Sequence, residues 1–404
     1  MLPTPMSRMS TDFAPVVSKS AIRMQSAHGP VWVVNSCEEI APSLWQSAFA
    51  EHGKDSRFYQ IIERTLRGQF DHRYFVLQNE ATGEVAVQPF FFVDQDVTAG
   101  SPRILRELMA RLRKLFPRFL VMRMLMVGCA AGEGQLSHTS QWAVEALHDA
   151  LTLYKQHADA SVILLKDFPS TYRDALMCFS TNGYARVPSM PAAVLDLRGF
   201  TSFEDYLQRK VGKVFRKNLR RKFKKLADQP PITMEVVEDA TPHLDEIFQL
   251  YHQTFSRSEF QFEELNKDYF RQLGEQMPDR VRYFLWRQNG RLIAFNLCLI
   301  HDDVLYDLDV GLDYSVALDL HMYYVTWRDI VQWAIENGLR MYHTGPLNYD
   351  PKLHLRLDLA PQDLYARHAS NWINPLFKIA IKYLQPVRHD PTLRQFSNAH
   401  EMEC

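Results

Sequence analysis

Residues 281–310, VRYFLWRQNGRLIAFNLCLIHDDVLYDLDV, decide the fold. Three apolar runs, 281–287, 291–301 and 304–310, are separated by Asn289–Gly290 and by Asp302–Asp303. Asn-Gly between strand-like runs is the strongest short hairpin signal, because both residues accept the positive φ of a type I′ turn. The stretch therefore reads as a three-stranded antiparallel meander with tight turns.

Downstream, the spacing predicts a helix over 323–337 that stops at Gly338, then a strand over 340–344. Upstream, 232–237 reads as a strand, and Thr241 with Pro242 opens a helix that runs to about Thr254. A further helix is expected over 267–275. The first half contains similar parts in a similar order. A strand at 31–34 and helical stretches within 41–69, broken near Gly53, precede a hairpin of 73–78 and 84–93. A helix at 103–116 and a strand at 119–127 follow. The run continues with a helix at 141–157, a strand at 161–165, a helix at 171–181 and a closing strand at 190–197. No residue-level repeat joins the halves, so duplication rests on element order alone.

A chain of 404 residues exceeds one ordinary domain, and two are expected. The division read here is a flexible tail at 1–30, a domain at 31–198 and a second domain at 199–404. A net charge of −1 excludes a general nucleic-acid coat protein, and DNA is not an expected partner, so anion binding must be local. The five cysteines are scattered without a CxxC or a Cys/His cluster, which points away from zinc and toward a reducing, cytoplasmic setting.

Local anion binding has an obvious candidate. Residues 207–226, LQRKVGKVFRKNLRRKFKKL, hold ten basic residues and no acid. Leu207, Val211, Val214, Phe215, Leu219, Phe223 and Leu226 fall on one narrow helical stripe, leaving a positive face that includes Lys217, Arg220 and Arg221. Like charges at i,i+4 each cost a few tenths of a kcal/mol, a strain that an anionic partner relieves. The alternative is a solvated charged face.

Other stretches could carry chemistry. The loop at 128–134, GCAAGEG, follows a strand and could cradle a phosphate or be an ordinary glycine-rich turn. Residues 342–352, YHTGPLNYDPK, end a strand at Thr344–Gly345 and then present Tyr349 and Lys352. Tyr349 could protonate a leaving thiolate, and Lys352 could hold phosphate or carboxylate. His343 and His321 are candidate bases, each with an ordinary structural reading beside it. Simple alternation in Tyr306-Asp-Leu-Asp309 puts Asp307 and Asp309 on one face, where paired carboxylates shift each other's pKa. Residues 372–384, WINPLFKIAIKYL, fit either a terminal helix packed on the domain or an interfacial helix making peripheral membrane contact.

The run from Met190 to Leu207, with Arg216-Lys-Asn-Leu-Arg-Arg221, resembles the linker and basic helix of the FemAB-like and cellulose-operon-type acyltransferases of the GNAT superfamily. The Asn289–Gly290 hairpin, the 323–337 helix, the strand ending at Gly345 and the Tyr349–Lys352 pair look like the end of the same module. The resemblance implies an α/β (α+β) fold of tandem GNAT-like domains, each a mixed, largely antiparallel sheet flanked by helices. It implies transfer of an acyl or aminoacyl group to an amine without a covalent intermediate. The donor would be acyl-CoA, acyl carrier protein or aminoacyl-tRNA, with no permanently bound cofactor. On that reading Tyr349, Asp309 and His343 are catalytic, and Lys217, Arg220, Arg221, Lys352 and Gly345 hold the donor. The usual GNAT pyrophosphate loop is missing after Val310, where the chain reads GLDYSVALDLHMYY. A module without catalysis, docked on RNA or an anionic membrane, is the alternative.

Overall fold

The computed structural model describes residues 18, 20–96, 111, 121–258 and 261–403. The helix expected at 103–116 lies outside the described residues apart from Arg111, as does the start of the 119–127 strand. Among the described residues the strands are β1 (Ile22–Ser26), β2 (Gly29–Val34), β3 (Asp71–Gln78), β4 (Val85–Asp96), β5 (Val121–Val127), β6 (Val162–Pro169), β7 (Ala185–Pro188), β8 (Ala192–Asp196), β9 (Ile232–Val237), β10 (Val281–Gln288), β11 (Arg291–His301), β12 (Val304–Leu312), β13 (Met341–Thr344), β14 (Asp358–Ala360) and β15 (Gln362–His368). They form two sheets, ordered β1-β2-β3-β4-β5-β6-β15-β7 and β14-β8-β13-β12-β11-β10-β9.

Each sheet is antiparallel except for one parallel pair, β5 with β6 and β12 with β13. Parallel neighbours need a crossover, and each pair has a helix in it, Gln141–Tyr154 and Met322–Glu336. The halves are therefore built alike, as the element order suggested. The meander forms as expected: Asn289 and Gly290 take φ of 52° and 81°, and Asp302 and Asp303 take 48° and 61°.

Four expectations need correction. Residues 22–30 of the expected tail are ordered, because β1 pairs with β2 in full antiparallel register and the strand expected at 31–34 begins at Gly29. The strand at 192–196 does not close the first domain. It pairs with β13 and β14 in the second sheet, while β15 returns from the second half to sit between β6 and β7. The two crossings lie side by side, with the Ser189 N–H donating to the Gln362 carbonyl and Ser170 N–H to the Pro361 carbonyl, both at 2.8 Å. Apolar patterning specifies a strand but not which sheet receives it. An ion pair anchors the exchange: Asp363, fully buried, accepts from Arg173 Nε at 2.6 Å. Third, the helix at 171–181 is a 3₁₀ turn, Ser170–Tyr172, followed by a short helix, Met177–Thr181.

The fourth correction concerns the basic stretch. It is two helices, Phe203–Arg209 and Lys213–Leu226, broken at Gly212 in extended conformation. Arg216 folds back across the break and donates to the Leu207 and Gln208 carbonyls, at 3.2 and 2.7 Å, satisfying the end of the first helix. The stripe is correspondingly shorter. Leu219 is buried and Phe215, Phe223 and Leu226 pack partly, but Val214 is 87% exposed.

One apolar core runs through both halves, from Trp45, Phe58 and Tyr74 to Tyr251, Phe270 and Phe295. The second core, on the other face of the second sheet, holds Phe284, Trp286, Tyr342 and the helix Met322–Glu336. Polar contacts reinforce the join, including Arg57 to Asp279 at 2.7 Å and Asn266 to the Thr65 carbonyl at 2.7 Å.

Candidate active site between the two halves

β12 is irregular at Leu308. Leu297 lies opposite Asp309 and Cys298 opposite Asp307, so one residue of β12 is extra. Strand neighbours directly opposite share a face, and a bulge shifts the alternation by one. Asp307 therefore falls with Cys298 on the face toward Met322–Glu336. Asp309 falls with Leu297 on the face toward the first half. The same-face pair expected from alternation is not formed.

On the face toward the first half, charged residues from both halves gather. Tyr269 donates to Asp309 Oδ2 at 3.4 Å. Burial, with the negative charges of Glu263 and Asp307 nearby, pushes the Asp309 carboxyl up to about 7. His343 is paired in register with Tyr306 and their rings lie 5.1 Å apart. Its Nε2 is 3.4 Å from Glu133 Oε1, and burial lowers its pKa, leaving a neutral imidazole. Gln362 donates to the same Glu133 oxygen at 2.6 Å. Lys166 spans Asp167 at 2.6 Å and the Gly132 carbonyl at 3.1 Å, and burial raises the Glu263 carboxyl beside it.

The glycine-rich loop works differently from a phosphate cradle. Gly128 N–H donates to the Pro89 carbonyl and Gly134 N–H to the Asp167 carbonyl, so these donors are already used. The following helix starts only at Gln141. Glycine is needed for close approach: a Cβ at Gly134 would meet the Lys166 carbonyl at 2.5 Å, and one at Gly132, which has φ of +106°, would overlap the Lys54 ammonium. The packed loop presents Glu133 to His343. Cys129 in this loop is buried, which raises its pKa and holds it as a thiol.

A second polar group sits where β12 and β13 part. The parallel pairing stops at Asp307–Thr344, while β12 runs on to Leu312. Asp307 accepts from Tyr342 at 2.5 Å and from Asn296 at 2.9 and 3.1 Å. Lys352 is 4% exposed, donates to the Gly345 carbonyl at 2.5 Å and is pulled down to about 7 by burial, against the opposing pull of Asp307. Tyr349, expected as an acid near the leaving group, is 2% exposed. Its hydroxyl donates to the Pro191 carbonyl at 2.8 Å and burial raises its pKa, so it is a core residue at the strand exchange.

The basic helix lies on the other face, where Lys222 sits over the Tyr324 ring at 4.5 Å. Lys217, Arg220 and Arg221 are exposed; Arg220 pairs with Glu204, and Arg221 donates to Asn218. A groove of about 580 Å³ opens at the start of that helix, lined by Lys213, Phe215, Asn218, His354 and Arg356. His321 borders Lys222 and Lys225 on this side, away from Asp309. The structure thus brings together Asp309, His343, Glu133, Lys166 and Glu263 on one face, and Lys217, Arg220 and Arg221 on the other. Lys352 and Gly345 lie at the gap between. Sequence reading missed the roles of Glu133, Lys166 and Glu263; only Lys166 carried a signal, a charge at the end of the apolar run 162–165.

Residues 213–353 match the acetyltransferase (GNAT) domain family. Among solved structures, the chain is similar to FemX, at 12% identity over 83% of this chain and 97% of that one, with a TM-score of 0.52. It is also similar to L-PGS from Bacillus licheniformis, at 14% identity over 87% and 98%, with a TM-score of 0.50. A tandem GNAT protein from the clavulanic acid biosynthesis pathway gives 11% identity over 84% and 99%, with a TM-score of 0.44. No curated protein matches in sequence. Residues 213–353 thus match the acetyltransferase (GNAT) domain family, within a chain whose two-sheet fold is like that of FemX.

Proposed function

We propose that the chain is an N-acyltransferase that moves an acyl or aminoacyl group from a phosphate-bearing donor directly onto an amine. The observation that carries this reading is Asp309, a carboxyl poised at about 7 on the face of the second sheet that also carries His343 and meets the first half. A base titrating near the working pH combines the right protonation state with useful driving force.

An acceptor amine arrives largely as an ammonium ion. The Asp309 carboxylate takes one proton, and the freed nitrogen attacks the carbonyl carbon of the donor. The C–N bond forms as the bond to the leaving thiolate or ribose oxygen breaks. As the leaving group departs, neutral His343, held between Tyr306 and Glu133, takes the second proton from the nitrogen and passes it to the leaving sulfur or oxygen. Burial keeps Cys129 and Cys298 as thiols, which supports direct attack over a thioester on the enzyme.

The donor reading rests on three features: the basic helix with its groove, the parting of the strands beyond Asp307 and Thr344, and the charged cluster at Asp309. A narrow donor arm could lie in the gap with its phosphates on the helix side and its acyl carbon near Asp309. Lys352 and Gly345 would border that arm. Purified protein supplied with acyl-CoA, acyl carrier protein or charged tRNA and a panel of amines should form an amide detectable by mass spectrometry. Absence of product with all three donors overturns the proposal.

A further inference from the structure

The helix Asn374–Leu384 buries only part of its surface. Phe377 and Ile381 pack on the main core. Buried Asn374 ties the first turn down, accepting from His368 N–H at 3.0 Å and donating to the Gly183 carbonyl at 2.9 Å. The other side carries Leu376, Ile379 and Tyr383, with Trp372 and Ile373 just before the helix, and all are exposed. Trp372 is 95% and Leu376 69% exposed. Contiguous large apolar groups left in water on a folded chain mark a binding surface.

The surroundings of this face are positive. Residues 369–389 contain no Asp or Glu but include Lys378, Lys382 and Arg388, in a chain of net charge −1. Arg388 lies over the Tyr383 ring at 5.1 Å. Just before the helix is a cavity of about 210 Å³ lined by Thr152, Lys155, Gln156, Tyr184, Arg367 and Asn371, with no acid in its lining. Arg367 donates to Asn371 at 3.0 Å and to the Asn182 carbonyl at 3.3 Å, leaving its buried Nε without a partner. Lys155 approaches the same Asn371 oxygen at 3.5 Å.

We propose that this face docks on an anionic phospholipid surface, with a lipid head-group phosphate at the Lys155–Arg367 cavity and the Trp372–Tyr383 face in the interfacial layer. Two converging cations and an unpartnered guanidinium N–H suit a phosphate oxygen. Trp and Tyr suit the boundary between head groups and acyl chains. A second copy of the chain is the poorer occupant, because a symmetric pairing of this face would crowd Lys378 and Lys382 against their own kind. At 11 residues the helix is too short to cross a bilayer, and no described helix is long and apolar enough to do so; it would lie on the surface. The inference is independent of the reaction proposed above.

The full chain should float with phosphatidylcholine vesicles containing phosphatidylglycerol, and not with phosphatidylcholine alone. Trp372→Ser and Leu376→Ser should each weaken vesicle partitioning by roughly tenfold. Lys155→Gln and Arg367→Gln should each weaken it by roughly fivefold. Circular dichroism reports folding, and exposed Trp372 and half-buried Lys155 keep the test open if Arg367→Gln fails to fold. Three results overturn the proposal: no flotation, flotation that folded variants do not reduce, or a solution dimer that Trp372→Ser dissolves.

Discussion

Replacing Asp309 by Asn should abolish acyl transfer and yet stabilise the protein, with a pH dependence that identifies the group. In the folded chain Asp309 titrates near 7, against an ordinary 3.8. The folded state therefore binds more protons than the unfolded chain between about 4 and 7, and stability falls as pH rises across that window. The favourable contribution is fully present below 3.8 and lost once pH passes about 7. The shift corresponds to about 4 kcal/mol if Asp309 titrated alone. Glu263 and Asp307 share the titration, so about 2 kcal/mol is the working expectation for removing this one charge at pH 8. For a chain of 404 residues unfolding as one unit that is a gain of roughly 2–3 °C in Tm. At pH 5 wild-type Asp309 is already neutral, and the nearly isosteric Asn should leave Tm within about 1 °C. Asn keeps an acceptor for the Tyr269 hydroxyl. Activity should fall by roughly 10²–10⁴ through loss of the base, and wild-type kcat/KM should rise with pH through about 7. Calorimetry at pH 5 and 8, beside amide formation measured by mass spectrometry, reads both effects. Equal Tm changes at the two pH values, or a folded Asn variant that retains its rate, would refute the reasoning.

Further outcomes follow from the same geometry. Tyr349→Phe should lower stability by about 1–3 kcal/mol, because the buried Pro191 carbonyl loses its donor, while the rate per folded molecule stays unchanged; denaturant titration with an activity assay checks both. Asp363→Ala should cost about 3–5 kcal/mol by removing the buried carboxylate that pairs with Arg173 and Arg186, and exchange of the β15 amides should accelerate in hydrogen-exchange mass spectrometry. Lys217→Gln, Arg220→Gln and Arg221→Gln together should weaken donor binding and flatten its salt dependence while helicity holds, since Leu219 and Phe223 are untouched. For a single-stranded donor, every phosphate that the variant no longer neutralises reduces the slope of log K against log salt by roughly 0.7. An unchanged slope in a folded triple variant would move the donor site away from this helix.

Much of the scaffold was legible along the chain. The meander followed from apolar runs cut by Asn289–Gly290 and Asp302–Asp303, and all four turn residues adopt the positive φ those turns require. The helix ending at Gly338 and the strand ending at Thr344 followed from periodicity and a C-terminal glycine. Asp309 was singled out as half of a same-face carboxylate pair, a pairing that the bulge at Leu308 removes, and His343 as one of two candidate bases. Local rules suffice for such features, since turns, caps and strand alternation depend on neighbours a few residues apart.

Tertiary structure decided which of these residues meet. One extra residue at Leu308 turned Asp309 to the opposite face from Asp307, a shift that a strand's apolar pattern does not encode. The exchange of β8 and β15 between sheets carried Tyr349 into the core and turned an expected acid into an anchor for Pro191. Glu133, Lys166 and Glu263 became relevant only when the two halves closed around them. Their surroundings are set by desolvation and by charges distant in sequence, and both depend on distances through space rather than along the chain.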